Sequence, residues 1–384
     1  MSESCQWGAF MAIETSDVIE LVEAALAADY TRVRRLAGKI ATALSEGEDK
    51  DAAKKLRSLV RRSGVPLQAS GFMESLPVDS KSRMPLVEEQ PWPTSPLFLN
   101  EESMSVFQCF IEDAKHVDML VENGLSTRLS ILLSGSPGTG KSLFAGHVAR
   151  QLGKPLYVVR LDSVISSLLG DTAKNVRRVF EFVPSREAVL FLDEMDAVAK
   201  LRDDSHELGE LKRVVNTVIQ GLDSLDDRAI VVGATNHSQL LDPAIWRRFP
   251  YKIEMNVPNT QMRADMWRHF LFKDEDDLKA SEILAAVSKG LTGADIETIA
   301  SAARRRSVLA QRELDVGSIA WATLHSGEGR PQLPPVEPLT SGQKIELARR
   351  LCGPLALSQA DAARVIGVTR QAVRKYLMEG GDGD

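Results

Sequence analysis

Eight residues, Gly135 to Ser142 in the order GSPGTGKS, constrain this chain more than any other stretch. They follow the apolar run Ile131-Leu132-Leu133 and precede LFAGHVARQL, whose apolar spacing is helical. Strand, glycine loop, helix is the context in which G-x-x-x-x-G-K-[ST] reads as a phosphate cradle. Gly135, Gly138 and Gly140 have no Cβ, so the backbone can turn tightly and aim successive N–H groups at an anion. Ser136, Pro137, Thr139 and Leu143 complete the loop and the opening of the helix, whose start adds partial positive charge. Lys141 can reach the terminal phosphates of a nucleotide, and the Ser142 hydroxyl is an oxygen ligand of the kind Mg²⁺ prefers. ATP and Mg²⁺ are therefore the expected cofactors.

With 384 residues the chain has room for two or three domains, each with its own core. A net charge of -6 argues against a protein coated by polyanion, so any nucleic-acid contact has to be local. Cys5, Cys109 and Cys352 are too few and too scattered for a disulfide framework or a zinc site, and read as thiols of a reducing cytoplasm. No basic stretch followed by an apolar core opens the sequence, and no run of eighteen apolar residues occurs. The expectation is a cytoplasmic protein without a membrane span.

Beyond the glycine loop, four further apolar runs alternate with helix-length segments: residues 156–159, 188–192, 229–235 and 251–257. Such alternation predicts an α/β fold on a five-stranded parallel sheet covered on both faces, with ligands at the carboxyl ends of the strands. Asp193 and Glu194 stand directly after the third run. The first carboxylate can hold the hydrated Mg²⁺, and the second can polarise an attacking water, a pairing that favours hydrolysis. Asn236, after the fourth run, falls between the two phosphate-handling segments and can orient that water.

Taken together these segments resemble the AAA+ ATPases, and within them the AAA subgroup of membrane-traffic, microtubule-severing and protein-unfolding motors. The resemblance covers roughly residues 97–324: GSPGTGKS is similar to Walker A, FLDEMD to Walker B, ATN to the polar sensor, and LDPAIWRRFPYKIEM to the segment of arginine fingers. It implies a P-loop subdomain over residues 97–258 and a helical lid over 259–325, to which Gly293-Ala294-Asp295 belongs, with Asp295 standing where other AAA+ branches carry a sensor arginine. Ring assembly, in hexamers, is implied too. Arg247 and Arg248 stand too far around the sheet to serve their own nucleotide, but a neighbour in a ring can receive them at its γ-phosphate. One departure touches the pore loop, where the family carries an aromatic residue, an aliphatic one and glycine. Here Leu168, Leu169 and Gly170 occupy those places, which removes the flat contact of a ring.

Both ends carry additional modules. Residues 16–62 show three short amphipathic periods within an expected helical module, 1–65, and prolines punctuate a linker over 66–96. After a second proline-rich linker, 326–340, the segment 341–384 has the small and apolar spacing of a helix-turn-helix. It resembles repressors and sigma-type readers, which would put Thr369, Arg370, Gln371, Arg374 and Lys375 on the helix that meets double-stranded DNA. Helix-turn-helix folds also serve as protein adaptors.

Two functions follow. One is a ring ATPase that remodels a protein or protein–nucleic acid target; the overall likeness extends to bacterial AAA ATPases paired with a subtilisin-like serine protease in plasmid maintenance or phage defence. The other is a DNA-binding regulator in which ATP only switches assembly.

Overall fold

A computed structural model describes residues 19–21, 30–46, 51–54, 76–79, 84–125, 128–166, 169–182, 187–197, 208–274 and 278–378. The chain divides into two compact units, Met1–Ser75 and Leu76–Asp384. In the first, helix α1 (Tyr30–Glu46) buries Leu36, Ala37, Ile40 and Ala41, a stripe at helical spacing that contains two residues of the second amphipathic period. Most of the first and third periods lie outside the described residues.

A six-stranded sheet organises the second unit, with β1 (Glu88–Gln90), β2 (Ser130–Ser134), β3 (Leu156–Arg160), β4 (Val189–Asp193), β5 (Ile230–Thr235) and β6 (Tyr251–Glu254) in the order β1-β3-β4-β5-β2-β6. The five strands expected from the apolar runs are all parallel. Alternate residues supply two cores. Ile131, Leu133, Val189, Phe191 and Val232 belong to one, whereas Leu132, Leu190, Leu192 and Val231 belong to the other. Burial on both faces explains why the middles of β2 to β5 are continuous apolar runs.

Helices close both faces. On one face α2 (Glu101–Lys115) and, after the short α3 (Val117–Glu122), α4 (Lys141–Leu152) pack Phe107, Phe110, Phe144 and Val148 into the core. Asn100 caps α2 by accepting the Ser103 N–H, and Glu101 and Glu102 in its first turn suit the positive end of the helix. On the other face α5 (Leu161–Ser166), α6 (Leu169–Phe182) and α7 (Leu208–Ser224) contribute Val164, Val176, Phe180, Val214 and Val218.

The sixth strand comes from the stretch read as linker. β1 runs antiparallel to β3, with Glu88 opposite Val158, and its neighbours Leu86 and Val87 are buried. Three polar residues at a sheet edge carry no apolar period, which is why the pattern missed them. The chain then crosses α4: Trp92 Nε1 donates to Lys154 O (2.9 Å), and Arg150 Nη1 to Pro93 O (3.1 Å). Residues 86–99 are thus a strap across the sheet and not a free spacer.

After a short helix, α8 (Pro243–Trp246), and β6 come the four helices of the segment expected to be the lid: α9 (Thr260–Phe270), α10 (Leu278–Val287), α11 (Gly293–Ala310) and α12 (Val316–Leu324). Three more follow, α13 (Ser341–Cys352), α14 (Gln359–Ile366) and α15 (Arg370–Met378). Trp267, Leu284, Ile296 and Ile319 of the lid share one core with Leu347, Leu351, Val365 and Val373. The connector at 326–340 separates these segments in sequence without separating two cores. Among the described residues no helix is long and apolar enough to cross a membrane.

Helices α6 and α7 meet at Gly221, where an added Cβ would lie 2.2 Å from Phe180 Cδ2. Helix propensity favours alanine by about 1 kcal/mol, but overpacking a buried ring costs about 1–3 kcal/mol. Gly221→Ala is therefore expected to destabilise the protein, read as a lower urea midpoint at unchanged slope.

Candidate nucleotide site

Strand order builds this site. β5 lies between β2 and β4, with Ser134 opposite Thr235 and Leu192 opposite Gly233, so the parallel strands deliver the glycine loop, Asn236 and Asp193 to one sheet edge. In the loop Gly135, Gly138 and Gly140 have φ of 147°, 80° and 97°. Conformation is only part of their need. A Cβ on Gly135 would stand 2.2 Å from Met255 O, and one on Gly138 2.8 Å from Thr292 Oγ1. The loop therefore fits between the exit of β6 and the start of the lid only if both positions lack side chains.

Lys141 opens α4 and is buried, its Nζ donating to Gly135 O (2.8 Å) and Ser136 O (2.9 Å). Burial pulls its pKa below the ordinary lysine value, while the charges of Asp193 and Asp196 act to raise it. At the end of β4, Asp193 Oδ1 accepts the Glu194 N–H (2.9 Å). Its carboxyl is pushed up by burial, against the effect of that hydrogen bond and of Lys141. Glu194 has φ of 55°, a left-handed conformation that costs a residue with a Cβ about 1–2 kcal/mol. Partial desolvation raises its pKa, and Asp162, through charge and a hydrogen bond, raises it further.

Asp196 is the residue that pattern reading left unassigned. It is buried, and its Oδ1 accepts from Thr235 Oγ1 (3.1 Å) and the Asn236 N–H (3.2 Å). Met195 N–H donates to Ala234 O (2.9 Å) in the same layer. These bonds lock the turn carrying Glu194 to the one carrying Asn236. A second acid two residues after DE, facing a Thr-Asn pair, was the available signal.

A cavity of about 380 Å³ opens above this edge. Pro137, Gly138, Thr139, Gly140, Lys141, Ser142, Leu143, Asp193, Glu194 and Asn236 line its polar end; Gly135 and Ser136 lie behind, holding Lys141. Leu97 and Phe98 from the strap, with Met266 and Phe270 from α9, form an apolar wall, and Gly293, Ala294 and Glu297 close it from α11. The wall was not legible in sequence because it joins residues more than a hundred positions apart. Asp295 takes no part in the lining. It caps α11 through a reciprocal bond with Thr292.

The other expected site residues lie elsewhere. Arg248 follows α8 and is engaged in its own chain, Nη2 to Asp223 Oδ2 (2.9 Å) and Nη1 to Ala244 O (2.9 Å). Arg128 grips the same Asp223 at 2.7 Å, and both contacts hold the Asp223 carboxyl below its ordinary pKa, Arg248 the more strongly. Arg247 is exposed, and among the described residues no carboxylate pairs with it. Leu168 lies outside the described residues; Leu169 and Gly170 begin α6. Gly367 turns α14 into the next segment at φ of 71°, Thr369 Oγ1 accepts the Ala372 N–H (3.2 Å), and Thr369, Arg370, Gln371, Arg374 and Lys375 are all exposed.

A glycine cradle at a helix start, a buried lysine, a carboxylate at a strand end and an apolar slot beside it are the parts a P-loop nucleotide site requires. Among the described residues no three His, Cys, Asp or Glu side chains converge on a metal position. Ser142 and Asp193 suit Mg²⁺ all the same, because that ion keeps waters and phosphate oxygens as most of its ligands.

Comparison with known proteins extends this. Residues 131–257 match the family model described as ATPase family associated with various cellular activities (AAA). An uncharacterised AAA family ATPase of Sinorhizobium fredii, y4kL, is 35% identical over 56% of this chain and 66% of its own length. ATP-dependent zinc metalloprotease FtsH 3 of Sphaerobacter thermophilus is 33% identical over 51% of this chain and 41% of its own. A proteasome-activating nucleotidase of Sulfurisphaera tokodaii is 31% identical over 53% of this chain and 54% of its own. The chain thus spans between about two fifths and two thirds of the length of these relatives. Over residues 131–257 the chain is thus similar to AAA ATPases, a likeness that agrees with ATP and Mg²⁺ as its cofactors.

Thr235→Val removes one donor to the buried Asp196. The variant is expected to lose about 1–3 kcal/mol of stability. Its turnover should fall on the order of 10-fold, about 1.4 kcal/mol of barrier, while the Kd for ATP stays within twofold of wild type by equilibrium titration. Unchanged turnover would detach Asp196 from the placement of Asn236.

Proposed function

We propose that the chain is an ATP-hydrolysing ring subunit that remodels a protein or protein–nucleic acid target, acting with an effector such as a serine protease. The observation that carries this reading is the pair of carboxylates at the end of β4, one beside Lys141 and one turned out by a left-handed backbone. Asp193 and Ser142 would hold the metal, which would supply charge neutralisation at the phosphates, and Lys141 with the loop N–H groups would hold those phosphates in place. Glu194 takes the proton of the attacking water, and its raised pKa strengthens it as a base. Asn236, fixed through Asp196, orients the same water.

Hydrolysis is completed in trans. Arg247, exposed and without a carboxylate partner among the described residues, enters the neighbour's site, and Arg248 is braced beside it by Asp223. A hexameric ring supplies such a neighbour to every site. Two relatives with names pointing to proteolysis, a metalloprotease and a proteasome-activating nucleotidase, favour a protein target and a protease partner.

Mutation and mixing test this. Lys141→Ala is expected to lose ATP binding. Glu194→Gln should bind ATP normally and turn it over about 10²–10⁴-fold more slowly. Arg247→Ala should lose about 10³–10⁵ in rate. Mixed rings of Glu194→Gln and Arg247→Ala should regain phosphate release, since an Arg247→Ala site beside a Glu194→Gln subunit then receives an intact finger. Mixtures as inactive as the separate variants would remove the trans mechanism.

A second reading is supported by the exposed basic face of α15: the C-terminal helices bind duplex DNA. Over residues 341–378 seven bases stand against two acids, in a chain of net charge -6. Deleting these helices is a poor test, because they complete the lid core. Arg370→Glu with Arg374→Glu reverses charge on exposed positions instead. If α15 neutralises three phosphates, affinity should drop roughly 40-fold between 50 and 200 mM salt, and the double variant should lose both the affinity and the slope. Wild-type binding with no salt slope would discard this surface.

A further inference from the structure

Resting on the reading that α15 binds duplex DNA, we propose that DNA binding and nucleotide binding are energetically coupled, because the lid and the DNA-facing helices form one body that the phosphate loop touches.

The contact with the loop is direct and narrow. Gly138 O accepts the Ala294 N–H at 3.2 Å, and the Cα of Gly138 faces Thr292 and Ala294 closely enough to exclude a side chain. From there the path runs through buried groups. Asp295 Oδ2 accepts from Thr292 N–H (3.0 Å) and Thr292 Oγ1 (2.7 Å), and also from the Gly329 N–H (3.2 Å) of the connector. One buried carboxylate thereby fastens the lid's entry to the chain that leads into α13.

The join between lid and C-terminal helices is broad by contrast. A Cβ on Gly317 of α12 would stand 3.0 Å from Val365 O and 3.5 Å from Ile366 Cα, so α12 and α14 meet backbone to backbone. Val373 of α15 is fully buried in the core that also holds Trp267 and Ile296. Close-packed interiors move as units, so the joint that gives is the one between loop and lid, where a cavity of about 380 Å³ lies open. A nucleotide that biases the lid moves α15 with it. By linkage, DNA that prefers one lid position changes nucleotide affinity by the same factor.

The test uses the full-length chain and a fluorescent 30-bp duplex at fixed salt. Its Kd is measured with the protein saturated in ATPγS and then in ADP, and the Kd of each nucleotide is measured with and without saturating duplex. The expected result is a difference of at least about fivefold in duplex Kd between the two nucleotides, with the same factor in the reciprocal titration. Gly317→Val, which wedges α12 from α14, should bring the ratio toward one with duplex and nucleotide still bound; Asp295→Asn is the second variant should the first not fold. Duplex bound with equal affinity in both nucleotides overturns the coupling and leaves the DNA reading standing. No duplex binding beyond that of Arg374→Glu in either nucleotide overturns the DNA reading, and the coupling with it.

Discussion

The position of β5 between β2 and β4 is the constraint on which the rest of this unit depends. It sets the glycine loop two strands away from Asp193, about 10 Å at ordinary strand spacing, and inserts Asn236 in the gap. A triphosphate with its metal would span that gap, whereas adjacent strands would crowd it. Parallel direction then does the remainder, since only parallel strands deliver three carboxyl ends to one edge. Both faces of such a sheet have to be covered, which calls for helices on each side and explains why β2 and β5 are buried at every position.

Packing two acids and a lysine at that edge is costly, and hydrogen bonds limit the cost. Burial disfavours the charged forms of Lys141 and Asp193 alike, yet each lessens the penalty of the other. Asp196, deeper still, receives two donors from the end of β5. An apolar core of the same volume would be more stable, so the arrangement makes sense as machinery held ready for a charged ligand. Glu194 shows the same balance, because its left-handed backbone is strain located at the place where chemistry is expected.

The parts of this architecture that could be read from sequence were those with a local cause. GSPGTGKS announces its turn by three glycines, and five parallel strands announce themselves as apolar runs between helix-length segments. What escaped was non-local. β1 is three polar residues whose pairing partner lies about seventy positions on, and no periodicity records an edge strand of that kind. Phe98 lines the cavity because Pro93 and Ser95 are tied to α4, and Trp92 to the turn after it. The stretch had looked like a linker for its prolines, which in fact keep it extended across the helix it straps. The opposite error occurred at 326–340, where prolines suggested a boundary between modules. Leu339 in that connector is buried in the core shared by the lid and the last three helices.

That shared core changes what the C-terminal helices can be. A module on a free tether senses nucleotide only through proximity, but α14 meets α12 backbone to backbone at Gly317 and takes part in the lid's own stability. Removing it would uncover α10 and α12, the lid helices it packs against, at about 1.5–3 kcal/mol for each large side chain exposed. The lid and α13 to α15 therefore share one core, whatever the last helices bind. Any partner that holds the exposed face of α15 also holds the wall of the nucleotide pocket, because Met266, Phe270 and α15 belong to one packed body. Energy from the phosphate edge has a short route outward, and it passes through side chains that cannot move independently.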